Sequence, residues 1–494
     1  MKFLHFFESL EQNDDYYLVL QNVKQKIFTV ILWSGASLIG LTVIWLFLGN
    51  FLVAEPEKKI EESRREFMQE FSAKENNYTA LKIQDLAQKI GLEKIIITNN
   101  KSAQIFSIYQ EQNQSYQKIS EPLKNYLEIQ LKKPNNEVDI PPEKLRRYLN
   151  SQQENLENLR NYILTHEKPH WQLEENLLIN RNEFVINFQS IIDLQQVLAL
   201  EILEKNRSQQ TKEMLQTLEI SWIINSSLLE RPDLYSQMYG MMVARMQAGV
   251  MRKIDGLSGQ WQQRLEDLAK QEYPQGFLKA LNRETLIITN LIKNNFWQTL
   301  EGRKILKTDF SEISDRQKEA WLQTTYKVNL LAKPYFRFAA VDYWQNMQII
   351  WQQLPKQDIC YFNADEFIKQ TGTSVAEWNV PGQISQLSWV KIWHHVNHLK
   401  LDLELTQKIL QLKELAAKNR NWPENLPEIS ASNCKNTQWI YKIYNDGTIS
   451  LNYSQKPNWL EENKGLPLSY NIKDKFKENT KANMKNNKKT RSPR

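Results

Sequence analysis

The pattern of apolar and polar positions changes character several times along this chain. From Ile27 to Ala54, "IFTVILWSGASLIGLTVIWLFLGNFLVA", 28 residues pass without a charge. About 20 helical residues cross the hydrocarbon core of a bilayer, so this stretch is long enough to span it with tilt. A cleaved signal peptide has a shorter apolar core and small residues at its cleavage site. Leu52, Val53 and Ala54 precede Glu55 here, a poor match, and the segment reads as a retained anchor. A short leading piece, one span and a long remainder form the layout of a signal anchor. Lys24 and Lys26 on one side, against Lys58, Lys59, Arg64 and Arg65 mixed with acids on the other, leave direction weakly specified. The layout places the large part outside the cytoplasm.

Beyond the span the period becomes helical. A charged run from Glu55 to Glu75, with Ile60, Phe67 and Phe71 near helical spacing, predicts a stalk. "LKIQDLAQKIGL" predicts a short helix capped near Gly91, and "EKIIIT" a strand or a piece of helix. "PPEKLRRYLNSQQENLENLRNYIL" reads as one helix opened by Pro141 and Pro142. The centre is most regular: a helix ending near Asn206, a second stopped by Pro232, and a third begun at acidic Asp233. Short polar joints between such helices make antiparallel hairpins, although no firm 34-residue repeat emerges. The methionines Met238, Met241, Met242, Met246 and Met251 read as core filler before a soft binding groove. "RQKEAWLQTTYKVNLLAKPYFRFAAVDYWQNMQIIWQQL" predicts two helices broken near Pro334. Late in the chain, "TQWIYKIYNDGTISLNYS" reads as a β-hairpin about Asp446-Gly447.

The expected fold is therefore mainly α. One transmembrane helix precedes an irregular bundle of helical hairpins and a small C-terminal α+β module with a β-hairpin. The expected divisions are 1–26, a short leading segment; 27–54, the anchor; 55–170, stalk and first helices; 171–355, the central hairpins; 356–472, helix plus hairpin; and 473–494, a basic tail.

Composition supports this picture. Glycine is scarce, at 14 of 494 residues, which disfavours phosphate-cradling loops and tight-turned β architectures. The net charge of +6 arises in residues 473–494, where nine Lys or Arg meet two acids, so the remainder sums to −1. That tail has one aromatic and no apolar period, unlike a nucleic-acid-binding face. It reads as a solubilising end; a polyanion-binding or anionic-lipid-binding arm is the alternative.

Three segments carry a resemblance. "SSLLERPDLYSQMYGMMVARMQAGVMRKIDG", "LELTQKILQLKELAAKNRNWPENLP" and "WIYKIYNDGTISL" resemble signal-anchored bacterial envelope proteins. The resemblance covers roughly a third of the chain. It implies an envelope location and brings no catalytic residues.

Candidate chemistry is sparse. In a helix from Trp389 to Ala417, the stripe Trp389, Ile392, Trp393, Val396, Leu399 and Leu403 faces one way. His394, His398 and Asp402 centre on the other, beside Leu401, Leu405 and Ile409. Two imidazoles one turn apart and a carboxylate suit a zinc ion, as in a membrane-anchored metal-dependent hydrolase. The zincin signature, however, needs Glu directly after the first histidine, and His395 stands there. These residues read first as surface or hydrogen-bonded histidines. The alternation in "LKLDLEL" leaves a local strand open. His166 and His170 are separated by Pro169 and read as a loop. Cys360 and Cys434 belong to no C-x-x-C pair; in an oxidising compartment they would close one disulfide. No nucleophile elbow, P-loop or dinucleotide fingerprint is present. The expected function is a membrane-anchored envelope scaffold or assembly factor, holding an envelope or membrane protein on its helical hairpins, with the lipid bilayer as its other partner.

Overall fold

The computed structural model describes residues 14–71, 75–96, 109–172, 186–294, 329–358, 360–372, 375–424, 426–434, 436–455, 457 and 466–473. Helix α1 (Asp14–Phe51) contains all but the last three residues of the charge-free run. Its window Phe28–Trp45 is, among the described residues, the one helical stretch long and apolar enough to cross a membrane, and none of it is buried. Trp33 and Phe47 are 69% and 73% exposed, which argues against a core helix of a water-soluble domain.

Helix α2 (Ala54–Glu70) follows almost at once, then α3 (Tyr78–Ile90), α4 (Gln110–Lys132), α5 (Glu143–Ser151) and α6 (Gln153–Thr165). The Asn77 side chain accepts from the Ala80 amide at 2.9 Å and starts α3. Gly91 ends it at φ 101°, where a Cβ would lie 2.2 Å from the Gln112 carbonyl oxygen, so only glycine fits. Of "EKIIIT", the described residues 93–96 contribute a bridge from Ile96 to Ile186, and the rest lies outside the described residues. The single helix expected after Pro142 is two. The chain breaks at Gln152 (φ −102°, ψ 6°), whose amide reaches both the Tyr148 and Leu149 carbonyls. The break re-aims the helix, so Leu145, Tyr148 and Leu149 before it and Leu156, Leu159 and Ile163 after it are all buried.

The central hairpins are α7 (Phe188–Arg207), α8 (Thr211–Leu229) and α9 (Leu234–Lys253), each packed on the other two. Asp233 caps α9, its carboxylate accepting from the Ser236 amide at 2.8 Å. Helix α10 (Gly259–Asp267) passes through a π-helical turn into α11 (Tyr273–Lys293). Helix α12 (Asn329–Gln353) is continuous through Pro334, which corrects the expected break. Pro334 is the sixth residue of the helix, so the ring forfeits one bond near the start and leaves the rest of the ladder intact. The first part of that predicted pair, 316–328, lies outside the described residues.

Helix α13 (Ala364–Thr371) leads to the long α14 (Val380–Asn419). Asn379 caps α14 by accepting from the Gly382 amide, and its amide group donates to the Ala339 carbonyl and to Asp342 on α12. The local strand considered for "LKLDLEL" is helix, and the alternation has a physical cause. Helix α14 is sandwiched between two cores. Trp393, Val396, Leu399 and Leu403 join the large core that runs from Phe67 to Leu410. Leu401, Leu405, Ile409 and Leu412 join a smaller one with the C-terminal sheet. A helix apolar on two sides loses its simple period.

A short α15 (Pro427–Ser430) precedes the sheet β1 (Trp439–Ile443), β2 (Thr448–Tyr453) and β3 (Ser469–Lys473), antiparallel in the order β1-β2-β3. The hairpin turns through Tyr444, Asn445, Asp446 and Gly447, with Gly447 at φ 83°. Sequence pattern left β3 unassigned. It pairs Ile472 with Ile449 and Tyr470 with Leu451, covering the hairpin edge that two strands alone would expose. The basic tail beyond Lys473 lies outside the described residues.

Candidate functional site

Three places on this fold could carry function: the α9–α14 contact holding the histidines, the disulfide beneath the sheet, and a groove on the central hairpins. On α14, His398 and Asp402 lie one turn apart, with Nε2 3.8 Å from the carboxylate. Helix α9 inserts Arg245 between them. Its Nε donates to Asp402 at 2.8 Å, and a terminal nitrogen lies 3.1 Å from His398 Nε2. A guanidinium only donates, so Nε2 accepts and the His398 ring is neutral with its proton on Nδ1. Arg252, two turns further along the same face of α9, donates to the Asp402 carbonyl at 2.9 Å, to Thr406 at 2.9 Å and to the Pro467 carbonyl at 2.8 Å. The Asp402 side chain is wholly buried, and the arginines supply its counter-charge.

This is an ion-pair network that joins α9 to α14 and to the strand leading into β3. His394 sits one turn back, its ring edge-on to Phe362 with centroids 5.0 Å apart. His395 points outward. The donor set does not resemble a zinc centre, because two guanidinium groups stand where a cation would need negative or neutral ligands. Among the described residues, the group whose ligand atoms lie within 4.8 Å of one another is Asp358, Cys360 and Cys434. Its two sulfurs are bonded to each other, which leaves no thiolate for a metal.

Burial pushes His398 down to about 4, the Asp402 carboxylate opposing and the Arg245 charge assisting. Burial lowers His394 as well, the neighbouring His395 assisting. Between pH 6.5 and 4 the unfolded chain takes up a proton at this imidazole and the folded chain does not. Stability is therefore complete above that window and falls as acid carries the pH through it, by on the order of 3 kcal/mol for His398. Urea unfolding of the wild type and of His398→Asn at pH 7 and pH 4.5 reads this directly. The variant is expected to lose less stability on acidification, and equal losses would show that folding does not lower the His398 pKa.

The disulfide joins Cys360, in the stretch between α12 and α13, to Cys434 before β1, with Cα atoms 5.6 Å apart and a sequence separation of 74. Both are buried. The Tyr453 hydroxyl lies 3.4 Å from Cys360 Sγ and within hydrogen-bond distance of Ser432 and Thr437. Beside it the buried Glu404 accepts from Trp439 Nε1 at 2.8 Å, and burial raises its carboxyl above the usual range. His166 and His170 stand after α6, and the His166 ring is 2.9 Å from the Tyr162 carbonyl within the same segment. They form no shared site with the α14 histidines.

The third place involves the methionine series, which the sequence pattern favoured as core filler over a soft binding groove. Between α4, α7 and α9 lies an open groove of about 360 Å³. Each helix supplies one i, i+4 pair: Leu127 and Leu131 from α4, Ile192 and Gln196 from α7, Met242 and Met246 from α9. Lys124 and Glu128 form a charged rim. The methionine series divides here. Met241 and Met251 are core, at 5% and 0% exposure, whereas Met242 is 54% exposed on the groove wall. The Met242–Met246 spacing was visible in sequence, but its convergence with two other helices was not. The groove's lining is largely apolar below a charged rim, which suits contact with an apolar surface. Compared with known protein families, curated proteins and solved structures, the chain matches none.

Proposed function

We propose that this protein is a membrane-anchored scaffold or assembly factor that holds an envelope or membrane protein against its central helical hairpins. The groove between α4, α7 and α9 carries the reading: an apolar floor, two adaptable methionines on one wall and a charged rim suit the apolar face of a partner helix. The charge-free window Phe28–Trp45, unburied throughout, supports a single membrane span as the anchor. The bonded pair Cys360–Cys434 supports placing the part after the span in an oxidising compartment, outside the cytoplasm. An anchor confines the search for a partner to the membrane plane, which favours one in or beside the same bilayer.

A photo-crosslinking residue at Met242, activated in intact cells, tests the reading. Mass spectrometry is expected to recover one recurrent membrane or envelope protein, and Leu131→Glu in the groove floor is expected to cut that yield at least tenfold. Recovery of this chain alone, under crosslinkers of different reach, overturns the scaffold reading. Partner crosslinks confined to the C-terminal module would move the binding site and overturn the groove.

A further inference from the structure

The anchor is joined to the fold at a depth that can be worked out. Lys26 is the last charged residue before the span, and 19 residues separate it from Trp45. At about 1.5 Å per residue that is roughly 28 Å of helix, close to the hydrocarbon thickness of about 30 Å. With Lys26 at one headgroup layer, Trp45 reaches the other. Trp45 does not stand alone there. Its ring packs 5.9 Å from that of Phe338 on α12. One turn on, Gly49 is pressed so closely on Pro334 that a Cβ would lie 2.5 Å from the proline Cβ.

The first turns of α12 are thus clamped to the end of the span. Tyr335 lies edge-on to Trp378, with centroids 5.8 Å apart, and its hydroxyl donates to the Trp378 carbonyl at 2.8 Å. Trp378 is 48% exposed, and Lys333 beside Pro334 is exposed too. Tryptophan, tyrosine and lysine stems are the side chains that settle at a membrane–water boundary, apolar body inward and polar tip in water. Helix α2 leaves no slack between bilayer and fold. Glu57, one turn into it, pairs with Arg337 on α12 and with Lys293 on α11, and Phe67 is buried in the large core.

We propose that the surface formed by Tyr335 and Trp378, with Lys333 at its edge and the buried Pro334 packed on the span behind it, is a lipid-contacting face seated at the headgroup boundary, so that the helical body rests on the bilayer beside its anchor. The charged run after the span is then a clamp and not a spacer. The inference rests on the membrane-anchor reading above, and its occupant is the phospholipid interface because the face continues directly from the spanning helix.

Nitroxide labels at Trp378→Cys and, separately, Lys333→Cys in the full chain test it, in phosphatidylcholine–phosphatidylglycerol vesicles. Lys118→Cys, on the exposed polar side of α4, serves as the aqueous reference. Power saturation reads collision with oxygen against a water-soluble nickel chelate. Both labels are expected to show several-fold lower nickel accessibility than position 118, with oxygen accessibility maintained. If both match position 118 while the protein still resists alkaline carbonate extraction, the lipid-contacting face is overturned and the anchor stands. If carbonate strips the protein from vesicles, the anchor reading fails and takes the inference with it.

Discussion

Replacing Asp402 with alanine is expected to lower the stability of the fold by about 3–5 kcal/mol, the cost of leaving a buried charge uncompensated. The carboxylate is fully buried and faces Arg245 at 2.8 Å and Arg252 at 3.4 Å. The two arginines differ in their alternatives. Arg245 retains part of its surface and can turn towards water. The Arg252 side chain is 4% exposed and would keep only carbonyl and hydroxyl acceptors around a full positive charge. Denaturant unfolding of the purified full chain in detergent micelles measures the loss. The double variant Asp402→Leu with Arg252→Met is expected to recover much of it, because replacing both members of a buried pair removes the stranded charge. A loss below about 1 kcal/mol for the single variant would mean that water reaches the site and that the pairs contribute as surface bridges do.

Cys360→Ser or Cys434→Ser is expected to cost roughly 4 kcal/mol, the loop-closure entropy for a crosslink spanning 74 residues in the chain-entropy account. The bond ties the stretch before α13 to the small core under the sheet, which also holds to the rest through α14, the contacts of α9 and the Asn471 amide donating to the Pro134 carbonyl. The loss should therefore fall on residues 420–473 first, as faster amide exchange in β1 to β3 than in α7 to α9. A thiol-labelling gel shift on native membranes checks the bond itself. Both cysteines should resist alkylation until reduction and unfolding, and two free thiols would argue against the bridge and against placing this part outside the cytoplasm.

Much of the fold was legible from particular residues. Asp233 and Gly91 mark helix ends because their chemistry is local: a side-chain oxygen for orphan amides, or a missing Cβ where φ is positive. The run Ile27–Ala54 needed only length and the absence of charge. The two stripes of α14, Trp393–Val396–Leu399–Leu403 and Leu401–Leu405–Ile409, were readable as helix faces because the period of a helix is a property of the backbone. The break at Gln152 and the unbroken helix through Pro334 were not, because each depends on what lies beside the chain. A kink pays where it aims apolar residues on both sides into one core, and an early proline costs little where neighbouring helices hold the turn.

The candidate sites divide in the same way. Spacing alone placed His394, His398 and Asp402 on one face, and spacing cannot say what fills the opposite side. Arg245 and Arg252 lie some 150 residues earlier, and only the docking of α9 on α14 turns a candidate ligand set into an ion-pair network. The groove follows the same logic, since each i, i+4 pair is unremarkable until three helices bring their pairs together. Helix caps, helix faces and the membrane-length segment were determined by the sequence itself, through backbone geometry and hydrophobicity. Partners and surfaces were decided only by tertiary structure, because the energy of a buried charge or an exposed apolar wall is set by neighbours distant along the chain.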